Sequence, residues 1–462
     1  MRRDLPRGIG FWGGSGIMVG IIIGSGIFAT PPVIAEYMGS PAVILTMWVL
    51  GGVLSLFGAL TYAELGTMFP RSGGIYVFMY EGLGEVVAFI FGWTYMFLGK
   101  PLAAAGITLV FAQHLNKLLG VSWNEPLITC VVLILFTAIN TVRVKLGAGL
   151  AVVFTSLKVL ALVAIIVLGI PRLTDPSGGL AGAPDPRGFL EALAPVLAAV
   201  LWTYDGWSDI ASCAGEVREP QRNLPRVLLI GTGTTILLYT AVNAVYMAIV
   251  PLPQMRGMDT VAPAVMHRLI GPAGDTLVTV IVLISTLGAT HGSIITGARV
   301  TFAQSRDGLF FKSLARVHPR FHTPDVALWL QALMSCIGVL SLQRFQRMFG
   351  GFVFTMWIFY ALAAVSVIVL RLRRPDLPRP YRCWGFPLVP AAFILATLFM
   401  TVLSIRANPR DTLTWLVILL AGVPAYYVWR YFVPRTVDEA EILEGKHACP
   451  AIPADGNAGR EQ

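Results

Sequence analysis

The sequence predicts an all-α integral membrane protein of about 12 transmembrane helices, because apolar runs near the ~20 residues that cross a bilayer recur along it. Composition is the second observation. Of 462 residues, 56% are hydrophobic and 13% are charged, against about 25% charged in soluble chains. The third is the placement of Lys and Arg. The net charge of +9 would suit a nucleic-acid ligand, but the basic residues form no stripe with interleaved aromatics. They fall in short loops between apolar segments, as they do on the cytoplasmic side of membrane proteins. The expected surroundings are a lipid bilayer, with no nucleic-acid partner.

The segments run over residues 11–38, 41–66, 84–113, 126–142, 147–170, 190–213, 225–250, 274–303, 325–342, 348–371, 387–405 and 412–433. Arg2, Arg3 and Arg7 precede the first, and Arg143 and Lys145 follow the fourth. Arg218, Arg222 and Arg226 follow the sixth; Arg306, Lys312, Arg316 and Arg320 follow the eighth. Arg371, Arg373, Arg374, Arg379 and Arg382 follow the tenth. Loops on the other side are poorer in Lys and Arg, and Asp175, Asp185, Asp259 and Asp275 sit among them. Both termini, residues 1–10 and a polar tail at 434–462, are therefore expected in the cytoplasm, the tail disordered. The first apolar stretch is too long for a signal-peptide core and lacks a convincing cleavage site. Cys130, Cys213, Cys336, Cys383 and Cys449 show no paired metal spacing and are expected to be reduced.

Two interior breaks organise the chain. Gly24-Ser25-Gly26-Ile27-Phe28 lies at mid-depth in the first segment, where an unwound backbone is tolerated only if buried in protein or lining a cavity. The free amides of a following half-helix would suit a carboxylate. Alternatively Gly20 and Gly24 form a small-residue packing face, and this stretch alone leaves both readings open. The second break is Tyr204-Asp205-Gly206-Trp207, in the sixth segment. Interrupted helices at matching positions of two halves mark a transporter's binding site. Five segments per half is an odd number, so the halves are inverted and the breaks can meet near the midplane. Asp205 reads as the N-cap of the second half-helix.

Deep polar residues come next. Lys158 sits well inside the fifth segment, where a lysine costs about 2.5–3.5 kcal/mol and marks function, unless it snorkels to the cytoplasmic interface. Lys100, before Pro101 in the third segment, is read as a structural tie or as the distal end of a ligand site. His291 is read first as a neutral, hydrogen-bonded core histidine and second as a pH-sensitive element. An enzyme fits poorly. There are six histidines, with no HExxH, no nucleophile elbow and no clustered intramembrane carboxylates; no catalytic residue, metal or cofactor is expected.

Several motifs carry a resemblance along nearly the whole chain. They are Gly24-Ser25-Gly26-Ile27-Phe28, Lys100-Pro101, Lys158 within Ser156–Leu162, Trp202-Thr203-Tyr204-Asp205-Gly206-Trp207, and Glu216-Val217-Arg218-Glu219-Pro220 running on to Pro225. Gly292-Ser293, Ser305-Arg306-Asp307-Gly308, His318-Pro319-Arg320 and Arg374-Pro375-Asp376-Leu377-Pro378-Arg379-Pro380 follow in order. Together they resemble the amino acid–polyamine–organocation superfamily, most closely its L-type amino acid transporter branch and bacterial relatives.

The resemblance implies a five-plus-five inverted repeat (the LeuT-like fold) with discontinuous first and sixth helices. The repeats would cover 11–170 and 190–371, followed by two further helices within 387–433. It implies that the amides of Gly24, Ser25 and Gly26 hold a substrate α-carboxylate while the carbonyls of Ile22, Trp202 and Asp205 accept from the α-ammonium. Ile27, Gly206 and Ser208 belong to the same implied site. Trp202 would be an aromatic gate and Trp357 would face the side-chain pocket, with Phe352 and Phe354 nearby. Lys158 would stand where sodium sits in sodium-coupled relatives, partnered by Ser285, with Ala289 replacing a second serine. Tyr204 and Lys100 join it as coupling or gating residues, and His291 stands where an asparagine is usual. The Glu216–Pro225 loop would be a cytoplasmic switch. The implied activity is sodium-independent transport of neutral L-amino acids across the cytoplasmic membrane by alternating access, as an exchanger. A proton-coupled symporter of the same fold and a non-transporting amino-acid sensor are the alternatives. The loop from His114 to Pro126 lacks the cysteine by which eukaryotic light chains bond a heavy chain, so no covalent partner is expected.

Overall fold

The computed structural model describes residues 5, 7–142, 144–174, 182, 184, 185, 188–343, 345–407 and 409–433. Asp175, Arg2, Arg3, Arg143 and the tail at 434–462 lie outside them. Helices carry nearly everything; among the described residues, strand-type pairing is limited to one isolated parallel bridge between Ile9 and Val217.

The first apolar segment is two helices, α1 (Phe11–Ile22) and α2 (Gly26–Ala35). Next come α3 (Pro41–Met68), started by Pro41 and a Ser40 cap, and a short α4 (Ile75–Leu83). The third segment runs as α5 (Glu85–Thr94), a π-helical turn at Tyr95–Gly99, and α6 (Lys100–Leu119). Then follow α7 (Glu125–Val142) and α8 (Val144–Leu173). The sixth segment is α9 (Phe189–Tyr204) and the single turn α10 (Asp209–Ser212). The chain continues as α11 (Pro220–Ile249), two short helices α12 (Leu252–Met255) and α13 (Ala262–Ile270), and the long α14 (Pro272–Arg306). It closes with α15 (Asp325–Leu342), α16 (Phe345–Arg373), α17 (Leu388–Ala407) and α18 (Pro409–Phe432).

Among the described residues, eleven spans are long and apolar enough to cross a membrane, and α9 is a twelfth, shorter apolar helix. Leu135, Leu160, Leu237, Leu333 and Leu398 stay exposed on these helices, the outward apolar surface that lipid requires. The inner helices are α1, α6, α9 and α14, with α1 packed against α8, α11 and α14.

Three expectations are corrected. The segment from His114 is not loop: α6 continues to Leu119, His114 Nδ1 lies 2.9 Å from the Val110 carbonyl, and Gly120 ends the helix in a left-handed turn (φ 64°). Polar residues extend a helix readily when a glycine one turn later supplies the stop. The stretch from Glu216 to Pro225 is only partly loop, because Pro220 opens α11 and fits its first turn. Residues 251–271, skipped as a loop, fold as α12 and α13.

Candidate substrate site

The first break is three residues long. The Ile23 amide donates to Val19 O at 2.8 Å, and the Gly24 amide donates to Ile22 O at 2.8 Å. The Ser25 carbonyl accepts the first bonds of α2, from Phe28 N at 3.2 Å and Ala29 N at 3.1 Å. Among the described residues, the amides of Ser25, Gly26 and Ile27 have no backbone acceptor, as the first turn of a helix leaves its donors free. This shifts the expected donor set by one position. Gly24 precedes the cap and its amide is already engaged, whereas Ile27 gains a free one. The buried Ser25 hydroxyl also lacks a partner among the described residues.

In the second break Asp205 ends α9 with extended backbone (ψ 150°), and its amide donates to Trp202 O at 3.1 Å. It is not an N-cap, contrary to expectation. Ser208 holds that position before α10, and the Asp205 carboxylate turns to α16, accepting from the Tyr360 hydroxyl at 2.6 Å. Gly206 has φ 112°, and a Cβ there would lie 2.7 Å from Ile21 Cγ2 and 3.1 Å from Ile22 N. Only glycine allows both that conformation and that approach of α1. The two breaks also touch directly: a Cβ on Gly26 would lie 3.0 Å from Thr203 Cα and 2.8 Å from its Oγ1.

A small cavity lies between the breaks. Ile22, Gly24, Ser25 and Gly26 wall one side, and Trp202, Thr203 and Asp205 wall the other. Lys100, Ala103 and Ile107 from α6 and Ser293 from α14 complete it. Ile27, Gly206 and Ser208 are not among its lining residues. Trp202 also packs edge-on against Phe352, ring centroids 5.3 Å apart. Trp357 does not reach the cavity. It is buried among Tyr360 and Phe393 (5.9 and 5.8 Å), because Phe352 and Met356 hold the inward face of α16 and residue 357 lies about 100° further round. Tyr204 packs against Trp48 and Tyr239, and the Tyr239 hydroxyl donates to Ile22 O at 2.7 Å. With Gly24 N and Tyr239 Oη both donating to it, the Ile22 carbonyl has both lone pairs occupied.

Lys158 does not snorkel. Its buried ammonium donates to Gly20 O at 2.7 Å and Ile23 O at 2.8 Å. From α14 the Ser285 hydroxyl lies 3.0 Å from Ile23 O and 3.2 Å from Gly24 O, and a Cβ on Gly24 would meet the Ala289 Cβ at 3.4 Å. Gly20 itself packs against Thr155 of α8. The first segment therefore uses its glycines in both of the ways considered: Gly20 for packing, Gly24 to Gly26 for the break. The Lys100 ammonium pairs with the Asp209 carboxylate, both buried. Asp205 and Asp209 thus share one break with Lys100. The expectation of no clustered intramembrane carboxylates fails because the turn at Gly206 brings them together. His291 is fully buried, with Nδ1 3.1 Å from Asn140 Nδ2, the core arrangement expected first.

At the end of the molecule carrying the Glu216 loop, that carboxylate accepts a two-pronged bond from Arg299 of α14 (2.9 and 3.2 Å), both groups buried. The Glu216 carbonyl accepts from the amides of Gly8 and Ile9, each at 2.9 Å. Sequence reasoning named Glu216, Thr203 and Ser293 only within motifs, without these contacts, and missed Arg299, Asp209, Ala103 and Ile107.

Two broken helices meeting round a small cavity, inside a bundle of spanning helices, define a membrane carrier of the LeuT-like class. The amino acid permease family model matches residues 9–428, and the chain belongs to that family, within the amino acid–polyamine–organocation superfamily. It is 29% identical over 439 residues to mouse b(0,+)-type amino acid transporter 1, covering 93% of this chain and 89% of the relative. The human cystine/glutamate transporter is 30% identical over 435 residues, covering 92% and 86%. Mouse large neutral amino acids transporter small subunit 2 is 28% identical over 477 residues, covering 99% and 88%. The protein is an amino acid transporter of the L-type, and a multi-pass membrane protein.

Proposed function

We propose that this chain exchanges neutral L-amino acids across the cytoplasmic membrane by alternating access, without sodium, and with both termini in the cytoplasm. The observation that carries this reading is the pairing of free donors and carbonyl acceptors across the cavity. The amides of Ser25, Gly26 and Ile27 sit at the positive end of α2, where an α-carboxylate binds. Trp202 and Asp205 at the carboxyl end of α9 offer carbonyl oxygens to the α-ammonium. Ala103, Ile107 and Trp202 leave an apolar wall for the side chain. Trp202 gates the cavity, Lys158 and Ser285 couple its first break to α14, and Tyr204 braces α9. The proposed inverted repeats cover 11–170 and 190–371. No disulfide-linked partner is proposed: the segment from His114 to Pro126 has no cysteine, and Cys130 is buried on α7.

Sodium independence rests on Lys158, whose ammonium already supplies a cation to the carbonyls of the first break. That same lysine favours a second reading, proton-coupled symport. It is held by backbone carbonyls and has no acidic partner among the described residues, so losing its proton would strand no buried carboxylate. Uptake of labelled amino acid into proteoliposomes separates the readings. Uptake that requires internal amino acid and ignores sodium supports exchange; uptake that follows an imposed pH gradient overturns it in favour of symport.

A further inference from the structure

Lys100 at once lines the substrate cavity and supplies half of a buried ion pair. Lys100 opens α6 straight after the π-helical turn at Tyr95–Gly99, a local irregularity that re-aims the side chains following it. Its stem passes between the substrate cavity and a second, smaller one lined by Tyr95, Gly297 and Gln331. The stem is held there, since a Cβ on Gly297 would come 2.8 Å from Lys100 Cγ. The ammonium is bound by Asp209, on the far side of the second break from Asp205. Asp205 has its own donor in the Tyr360 hydroxyl.

We propose that Asp209 is a specificity-determining residue: by binding the Lys100 ammonium it removes free positive charge from the cavity and so bars amino acids with acidic side chains. This rests on the proposed transport reading and names what sets the substrate class. A buried cation without a counter-charge is strongly unfavourable, and any carboxylate able to reach it gains accordingly. Asp209 occupies that role permanently. An incoming acidic side chain meets a compensated pair plus the Asp205 carboxylate, and like charges brought together in such a site discriminate against the wrong ligand. The reciprocal holds for cations. Without Lys100 the two carboxylates stand uncompensated and favour an ammonium or guanidinium side chain.

The test measures uptake of glutamate, leucine and lysine by proteoliposomes loaded with leucine. Asp209→Asn should raise the glutamate-to-leucine ratio about tenfold or more, and Lys100→Met should raise the lysine-to-leucine ratio by a similar factor. The double variant, having lost both charges of the pair, should bring the glutamate ratio back towards wild type. A folded Asp209→Asn protein with an unchanged glutamate ratio overturns the inference. If that variant does not fold, an unchanged lysine ratio in Lys100→Met overturns it instead. The same ratios read as ligand-induced thermal stabilisation decide the matter even where the wild type exchanges no leucine, an outcome that would count against the exchanger reading alone.

Discussion

The Lys158 ammonium donates to the carbonyl oxygen of Ile23 at 2.8 Å, and the Ser285 hydroxyl lies 3.0 Å from that same oxygen. One carbonyl at the broken end of α1 therefore joins α8 to α14. Lys158→Ala would leave carbonyl dipoles facing one another, and each unpaired buried polar group costs about 1–3 kcal/mol. Exchange should fall roughly tenfold or more while amino-acid binding, read by thermal shift, falls less. Normal exchange by this variant would show the lysine to be structural filling.

The same contact makes a prediction about ions. Replacing sodium by potassium or choline should leave wild-type exchange unchanged, since the site's cation is covalently part of α8. Strict sodium dependence would require a second cation site and would sink the assignment.

At Gly26 the clash with Thr203 is with backbone as well as side chain. Gly26→Val should therefore abolish stabilisation by amino acids, because it pushes the two breaks apart and covers the free amides. Amino acid methyl esters should fail on the wild type for the related reason that they lack the carboxylate. Unaltered affinity in Gly26→Val would place the substrate elsewhere.

Arg299→Ala would strand the Glu216 carboxylate in a buried site. Removing one partner of such a pair costs about 3–5 kcal/mol, so a large drop in melting temperature is expected. Arg299→Lys should recover only part of it, because an ammonium cannot reproduce the two-pronged bond. A melting temperature unchanged in Arg299→Ala would mean that Glu216 is solvated in the working protein.

Much of this was legible in the sequence because membrane burial makes certain residues conspicuous. Two glycines flanking Ser25, and Gly206 beside Asp205, are costly in a spanning helix unless the helix breaks there. Lys158 was legible by the same logic. Asp209 was not: a lone aspartate four residues after Asp205 reads as one more polar residue at a helix end, and only the turn at Gly206 brings it to Lys100. The engaged amide of Gly24 was hidden for a different reason. Which donors are free depends on where α2 starts, and a one-residue difference there changes the ligand set. Trp357 was misjudged because its direction is fixed by how α16 is rotated against α17, which no local pattern encodes.

The pairing of Ile9 with Val217 gives the protein an external pointer. Any separation of the first break from the second that tears Gly8 and Ile9 from Glu216 also carries position 7 away from the start of α11. An environment-sensitive dye at position 7, matched with a quencher on α11 near Arg222, would then signal each turnover as a flicker of light. That converts a slow radiotracer measurement into a single-molecule clock.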